Sequence, residues 1–411
     1  CFTIKDINNY TLIKLMNLLT ILMPCLNEAS TIGNCIKKAK NFLKENKIDG
    51  EVLVADNGST DLSRNIATDN GARVIDVLEK GYGETLLEGI KNSKGKYVIF
   101  ADSDDSYDFS DLSPFISKLD EGFDLVIGNR FKGKIKKGAM PLSHRYFGNP
   151  VLSFLGRIFF KSKIGDIHSG IRAFNKKKIL NLNLYSSGME FSVEMIARAT
   201  LENLKITEIP TNLNKDGRKN SKSHLKTWED GWRHLVFMLL YSPRWLFYYT
   251  GTVFFLIGLI LGLSTISGTF KLEMLNVELD IFTLFGGCIL CLVGMQAISF
   301  GILVSHHADK MKIVPLDKKN KNYLIKNLNL KYFSYLSIFL FLCGVLGIIF
   351  AFQYWSTFNF GRVNIDVMAR IIIPSGTAIA MSLQLGITTF LASFMNIKYN
   401  KKKDEENSSG R

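Results

Sequence analysis

The sequence predicts an α/β domain with a mostly parallel sheet, followed by an amphipathic helix and four transmembrane helices. Three observations carry this. Short apolar runs alternate with helical patterns over the first 225 residues, each run ends in a polar cluster, and four later stretches carry no Asp, Glu, Lys or Arg. The 411 residues exceed one small module, and 51 Lys plus Arg against 37 Asp plus Glu leave a net charge of +14 that favours anionic partners.

The first run, 18–26, is interrupted by Pro24 and leads into Asn27 and Glu28 without a small-residue cleavage pattern, so it reads as a β-strand, not a signal peptide. A helix follows near 31–45, a strand at 51–55, a helix at 62–70, and further strands at 97–101 and 123–127. Residues 225–240 place Trp228, Trp232, Leu235, Val236, Leu239 and Leu240 on one helical face before Pro243. All four tryptophans fall in that helix, at the start of a span or in a loop between spans, which suits a lipid interface.

The uncharged stretches are 245–266, 281–304, 332–352 and 371–397. The loop 305–331 holds seven Lys against two Asp and the tail opens with lysines, whereas loop 267–280 has one Lys against three acids. That asymmetry puts the basic loop and tail in the cytoplasm, and an even number of spans puts the polar domain there too. The expected domains are 1–225, polar and cytosolic; 226–244, interfacial; 245–397, membrane; and 398–411, a basic tail.

Six scattered cysteines frame no disulfide scaffold, and Cys288-x-x-Cys291 lies in an apolar run without other metal ligands. Ligands of open α/β sheets bind at the carboxyl ends of strands. There the sequence puts Pro24, Asn27 and Glu28; Asp56, Asn57 and Ser59; Asp102 and Asp104; and Asn129 and Arg130. Two carboxylates one residue apart can approach a hard cation, Mg²⁺ or Mn²⁺, that bridges a diphosphate. Asp56 could accept hydrogen bonds from a base or ribose, or cap the helix that follows. Lys80-Gly81-Tyr82-Gly83 could admit a phosphate, but Leu86 stands where a dinucleotide fingerprint needs its third glycine.

Between Arg130 and Arg145 lie six basic residues and no acid; residues 215–226 hold five against Asp216 alone. Such runs are commonly solvated, but the second leads into the amphipathic helix, at lipid head-group level. Nucleic acid is disfavoured, since neither run contains a recognisable binding module.

The segments 22–28 (LMPCLNE), 55–61 (ADNGSTD), 102–104 (DSD) and 128–130 (GNR) resemble, in order and spacing, family 2 glycosyltransferases of the polyprenyl-phosphate (dolichol-phosphate) mannose or glucose synthase type. Residues 168–174, 188–191 and 228–234 extend the resemblance to about residue 245. It implies a GT-A type nucleotide-sugar-binding domain, a divalent metal, and inverting transfer of one hexose from a nucleotide diphosphate sugar to a polyprenyl phosphate. On that resemblance Pro24, Asn27, Glu28, Asp56, Ser59 and Lys80 serve the donor, and Asp102 and Asp104 hold the metal. Arg130, Arg145, Arg218 and Lys222 would clamp the acceptor phosphate. Asn57 departs from the family, many of whose members carry a second Asp there. The roles of His168, Arg172 and Glu190 stay open.

A polysaccharide synthase would share the donor site, but 240–245 lacks the Gln of the Gln-x-x-Arg-Trp segment such enzymes share. A transporter or flippase should carry ionisable groups within its spans, and none of the four stretches has one. A catalytically dead binding module is the third alternative, against which the intact acidic cluster stands. Sugar, nucleotide, acceptor length and homo-oligomeric state are left open.

Overall fold

A computed structural model describes residues 19–218, 227–272, 277–311 and 330–395; Lys222, the middle of the basic loop and the tail lie outside the described residues. The chain forms two compact units, Cys1–Tyr241 and Ser242–Arg411.

The first unit is built on β1 (Leu19–Cys25), β2 (Gly50–Asp56), β3 (Arg73–Asp76), β4 (Tyr97–Phe100), β5 (Leu125–Asn129), β6 (Arg172–Asn175) and β7 (Ile206–Pro210), in spatial order β3-β2-β1-β4-β6-β5-β7. Every residue of β1 is buried, as its almost wholly apolar run requires of a central strand. Its one polar side chain, Thr20, donates to Glu51 at 2.9 Å. The helix α1 (Ile32–Glu45) buries Ile32, Cys35, Ile36, Ala39, Phe42 and Leu43, one face at helical spacing. α2 (Ser63–Asp69), α3 (Tyr82–Asn92) and α4 (Ser113–Asp120) complete the crossovers.

Sequence periodicity revealed neither β3 nor β7, nor β6. β6 lies antiparallel between β4 and β5, pairing Ile99 with Ala173 and Ile127 with Arg172. Four residues beginning with Arg make a weak strand signal. Here the Arg172 guanidinium is fully buried and donates to the carbonyls of Ile167 at 2.8 Å and Ser192 at 2.7 Å. Burial lowers its pKa to about 10. After β5 come α5 (Asn149–Phe160), α6 (Lys176–Leu180), α7 (Phe191–Leu201) and α8 (Thr227–Tyr241).

Among the described residues the second unit holds four helical segments long and apolar enough to cross a membrane, Trp245–Thr265, Ile281–Ser305, Lys331–Ser356 and Ile365–Met395, to which α9 (Thr250–Thr265), α10 (Ile281–Met311), α11 (Leu330–Ser356) and α12 (Ile365–Met395) belong. Glycines let their backbones meet. A Cβ on Gly258 would stand 2.5 Å from Gly287 O, and one on Gly344 2.7 Å from Ser375 O. The last helix starts at Ile365, ahead of the expected 371, because Asn364 caps it by accepting from Asp366 N at 2.9 Å. Its first turns therefore carry Asp366 and Arg370, and Arg370 donates to the carbonyls of Thr265 and Gly268.

Candidate functional site

The carboxyl ends of β1, β2 and β4 open onto one acidic cluster. β1 leaves the sheet through Asn27, whose φ of 58° is a left-handed conformation that Asn tolerates better than most side chains. The turn is fixed from both sides, since Asn27 N donates to Ser59 Oγ at 2.9 Å and Thr60 N donates to Asn27 Oδ1 at 2.8 Å. Asp56 is fully buried and accepts from Gly58 N at 3.1 Å, Ser59 N at 3.0 Å and Ser59 Oγ. It therefore shapes the 56–59 turn whatever else it binds. Ser103 Oγ donates to Pro24 O at 2.6 Å, which ties the β4 turn to the end of β1.

Asp102 and Asp104 project from that β4 turn. Tyr82 OH donates to Asp102 Oδ1 at 2.9 Å, and the backbone of Gly170 lies so close that a Cβ there would be 2.2 Å from Asp102 Oδ2. Asp104 Oδ1 accepts from Ser106 N at 3.0 Å. Its Oδ2 accepts from Arg218 Nη2 at 3.1 Å, while Arg218 Nε donates to Glu28 at 3.1 Å. Gly217 N also donates to Asp104 O at 2.9 Å, pinning the segment after β7 across the cluster. One guanidinium thus bridges carboxylates from the ends of two strands.

The electrostatics record the crowding. Burial, reinforced by the neighbouring Asp104 charge, raises Asp102 to about 7. Burial likewise lifts Glu28 to about 7, against the opposing pull of Arg218. Like-charged carboxylates held together out of water favour a cation between them. Two carboxylates are too few to enclose an ion alone, but they fit Mg²⁺ or Mn²⁺ completing its shell with phosphate oxygens and water. No group of three or more His, Cys, Asp or Glu suited to a metal exists among the described residues.

Asn57 has a structural reason to be an amide. Its Nδ2 donates to Val77 O at 3.3 Å and Glu79 O at 2.7 Å, and its Oδ1 accepts from Gly81 N at 2.9 Å, so it holds the loop before α3. A carboxylate could make only the last of these bonds. Lys80 Nζ donates to Asn57 O at 2.6 Å within the same loop.

The expected acceptor residues are dispersed. Arg130 forms a buried fork with Asp166, Nε to Oδ2 at 2.7 Å and Nη2 to Oδ1 at 2.8 Å, which leaves Nη1 outside the fork. Arg145 lies 5.5 Å over the Tyr146 ring, and no hydrogen bond or ion pair joins it to the acidic cluster among the described residues. His168 is half-buried, its Nε2 shut off from water, and stacks on His234 with centroids 4.7 Å apart; desolvation, then the His234 and Arg130 charges, holds its pKa well below the ordinary value. Glu190 stands at the start of α7, its carboxylate 2.3 Å from where a Gly188 Cβ would be. Sequence reasoning missed Tyr82 and Asp166. Tyr82 stands between the two glycines of the 80–83 segment, where an aromatic signals no partner by itself, and Asp166 is the first acid after Asp124, a position that signals a partner for the intervening cations.

Residues 20–182 match the model "Glycosyl transferase family 2" and 306–396 match "Glycosyltransferase family 2 C-terminal transmembrane region". The low-salt glycan biosynthesis hexosyltransferase Agl6 of Haloferax volcanii is 32% identical over 378 residues, 91% of this chain and 88% of that protein. The dolichyl-phosphate hexose transferase of the same organism is 29% identical over 196 residues, 47% of this chain and 81% of its own length. A crystal structure of glucosyl-3-phosphoglycerate synthase from Mycobacterium tuberculosis with Mn²⁺, UDP-glucose and phosphoglyceric acid aligns at TM-score 0.46 and 20% identity, covering 58% of this chain and 83% of that one. That likeness is too distant to transfer its ligands.

Proposed function

Since this chain belongs to glycosyltransferase family 2 and is a membrane hexosyltransferase by its similarity to Agl6, we propose that it moves one hexose from a nucleotide diphosphate sugar to a polyprenyl phosphate at the cytoplasmic face of the cell membrane. One observation carries the reading: Glu28, Asp102 and Asp104 converge beneath one guanidinium at the strand ends, in a chain with four membrane-length helices. The name of the dolichyl-phosphate hexose transferase supports a lipid phosphate as acceptor. Basic residues in loop 305–331 against acids in 267–280 support the cytoplasmic orientation.

On this reading Pro24, Asn27, Asp56, Ser59 and Lys80 frame the nucleoside pocket, with Glu28 between it and the diphosphate. Asp102 and Asp104 would hold Mg²⁺ or Mn²⁺, which when bound neutralises charge on the departing diphosphate. Tyr82 orients Asp102 through its hydroxyl, and Ser106 orients Asp104. Arg145, Lys222 and the Nη1 of Arg130 outside its fork with Asp166 are the cations proposed for the acceptor phosphate, whereas Arg218 is engaged by Glu28 and Asp104. A phosphate monoester, with its second pKa near about 6, is already largely ionised at neutral pH, so no strong general base is needed. Positioning and electrostatics then carry the rate.

The test is incubation of the purified full chain with polyprenyl phosphate, Mg²⁺ or Mn²⁺, and a panel of nucleotide sugars. A hexosyl lipid phosphate is the expected product. Transfer to other acceptors only, or no transfer with any donor, overturns the reading.

A further inference from the structure

Glu208 lies on β7, which pairs parallel with β5 and sets Glu208 beside Ile127. Successive side chains of a strand face opposite ways, and Ile209 packs into the core, so Glu208 is turned to the other face. Its side chain is only 5% exposed. Oε1 accepts from Gly165 N at 2.6 Å and Asp166 N at 3.0 Å, and Oε2 accepts from Asn129 Nδ2 at 3.0 Å and Lys132 Nζ at 3.1 Å. The Lys132 side chain is 58% exposed, so that ion pair adds little.

The other three bonds join the two segments that hold Arg130. Asn129 ends β5, and its Oδ1 accepts from Phe131 N at 2.9 Å and Lys132 N at 3.0 Å, so the amide cannot turn over without losing both. Asp166 accepts from Arg130 N at 3.1 Å as well as from the guanidinium. Little slack remains between the segments, since a Cβ on Gly165 would stand 3.0 Å from Asn129 Nδ2. Glu208 thus secures the strand end that bears Arg130 and the backbone of the acid that grips it. Nη1 of Arg130 makes no hydrogen bond among the described residues. Burial raises Asp102 and the Arg130 charge opposes that rise, so the guanidinium stands within electrostatic reach of the acidic cluster.

We infer that Glu208 is a positioning residue: through Asn129 and Asp166 it fixes the direction in which Arg130 presents Nη1 to the acceptor phosphate. The inference rests on the proposed function for its acceptor and adds a residue that touches neither substrate. A guanidinium matches phosphate oxygens over a narrow range of directions, so a small rotation of the fork costs affinity for that anion and nothing at the donor.

Reversing one hydrogen bond in the full chain tests it. Glu208→Gln points a donor at a donor whichever way its amide turns, and Asn129→Asp sets two carboxylates face to face. The two substitutions together restore one donor and one acceptor. Binding of a polyprenyl phosphate, with the unphosphorylated polyprenol as blank, is measured beside melting temperature, kcat, and KM for acceptor and donor. Each single variant should bind the lipid phosphate roughly tenfold more weakly, about the value of one charge-assisted hydrogen bond, and raise the acceptor KM to match. The donor KM should hold, and the double variant should recover most of the loss. A merely structural role would lower the folded fraction, hence kcat, and leave the acceptor KM unmoved. That pattern overturns the inference, as does a loss the double variant does not restore, or wild-type binding no tighter to the phosphate than to the alcohol. A wild type that binds the lipid phosphate but transfers no hexose overturns the proposed function instead, and the binding series still decides on Glu208.

Discussion

Arg218 and Asp104 are joined at 3.1 Å through a carboxylate oxygen that a divalent ion would also need. The guanidinium acts as a resident counter-ion for an acidic cluster that would otherwise repel itself. Arg218→Gln should therefore tighten Mn²⁺ binding in the absence of donor by roughly tenfold, about the value of one charge-assisted hydrogen bond. Titration by electron paramagnetic resonance of free Mn²⁺ measures it; unchanged or weaker binding removes the competition.

Asp102→Ala and Asp104→Ala should each lower hexosyl transfer by about a thousandfold or more, as loss of preorganised transition-state electrostatics does. Membrane insertion and the unfolding transition should change little. Near-normal turnover in both variants would contradict the metal assignment.

Asn57→Asp replaces two donated hydrogen bonds, to Val77 O and Glu79 O, by a carboxylate facing carbonyls. A cost of about 1–3 kcal/mol is expected. Denaturant unfolding of the full chain reads it, and a stability equal to wild type would show that the loop before α3 does not depend on the amide.

The depressed pKa of His168 gives a signed pH effect. Its folded value lies well below 6.5, so its contribution to stability is complete above pH 6.5 and is lost as pH falls through the interval below it. Among the described residues its Nε2 has no hydrogen-bond partner, so a ring without nitrogen forgoes nothing at that atom. His168→Phe should therefore gain in melting temperature relative to wild type between pH 6.5 and 4.5. Parallel curves for the two proteins would refute this.

The buried Arg130–Asp166 fork separates structure from catalysis. Arg130→Ala leaves Asp166 charged and uncompensated, and should destabilise the fold by about 3–5 kcal/mol. Arg130→Ala with Asp166→Asn should recover much of that stability. If transfer stays low in the stable double variant, Arg130 also serves the acceptor.

The alternation of apolar runs and helical faces made β1, β2, β4, β5, α1 and the four long helices legible, because each follows from local periodicity and burial, whereas the short, half-exposed β3 and β7 gave no such run. The acidic pair was equally plain, since Asp102 and Asp104 are neighbours in the chain and strand ends position them. Only the tertiary structure decided who partners whom. Arg218 reaches Glu28 across 190 positions, Arg130 is committed to Asp166, and Arg172 is buried in an antiparallel strand. A guanidinium reads the same in sequence whether it faces water, a phosphate or a carboxylate. Its role is fixed by which acceptors folding brings within about 3 Å, and that depends on contacts no local pattern encodes.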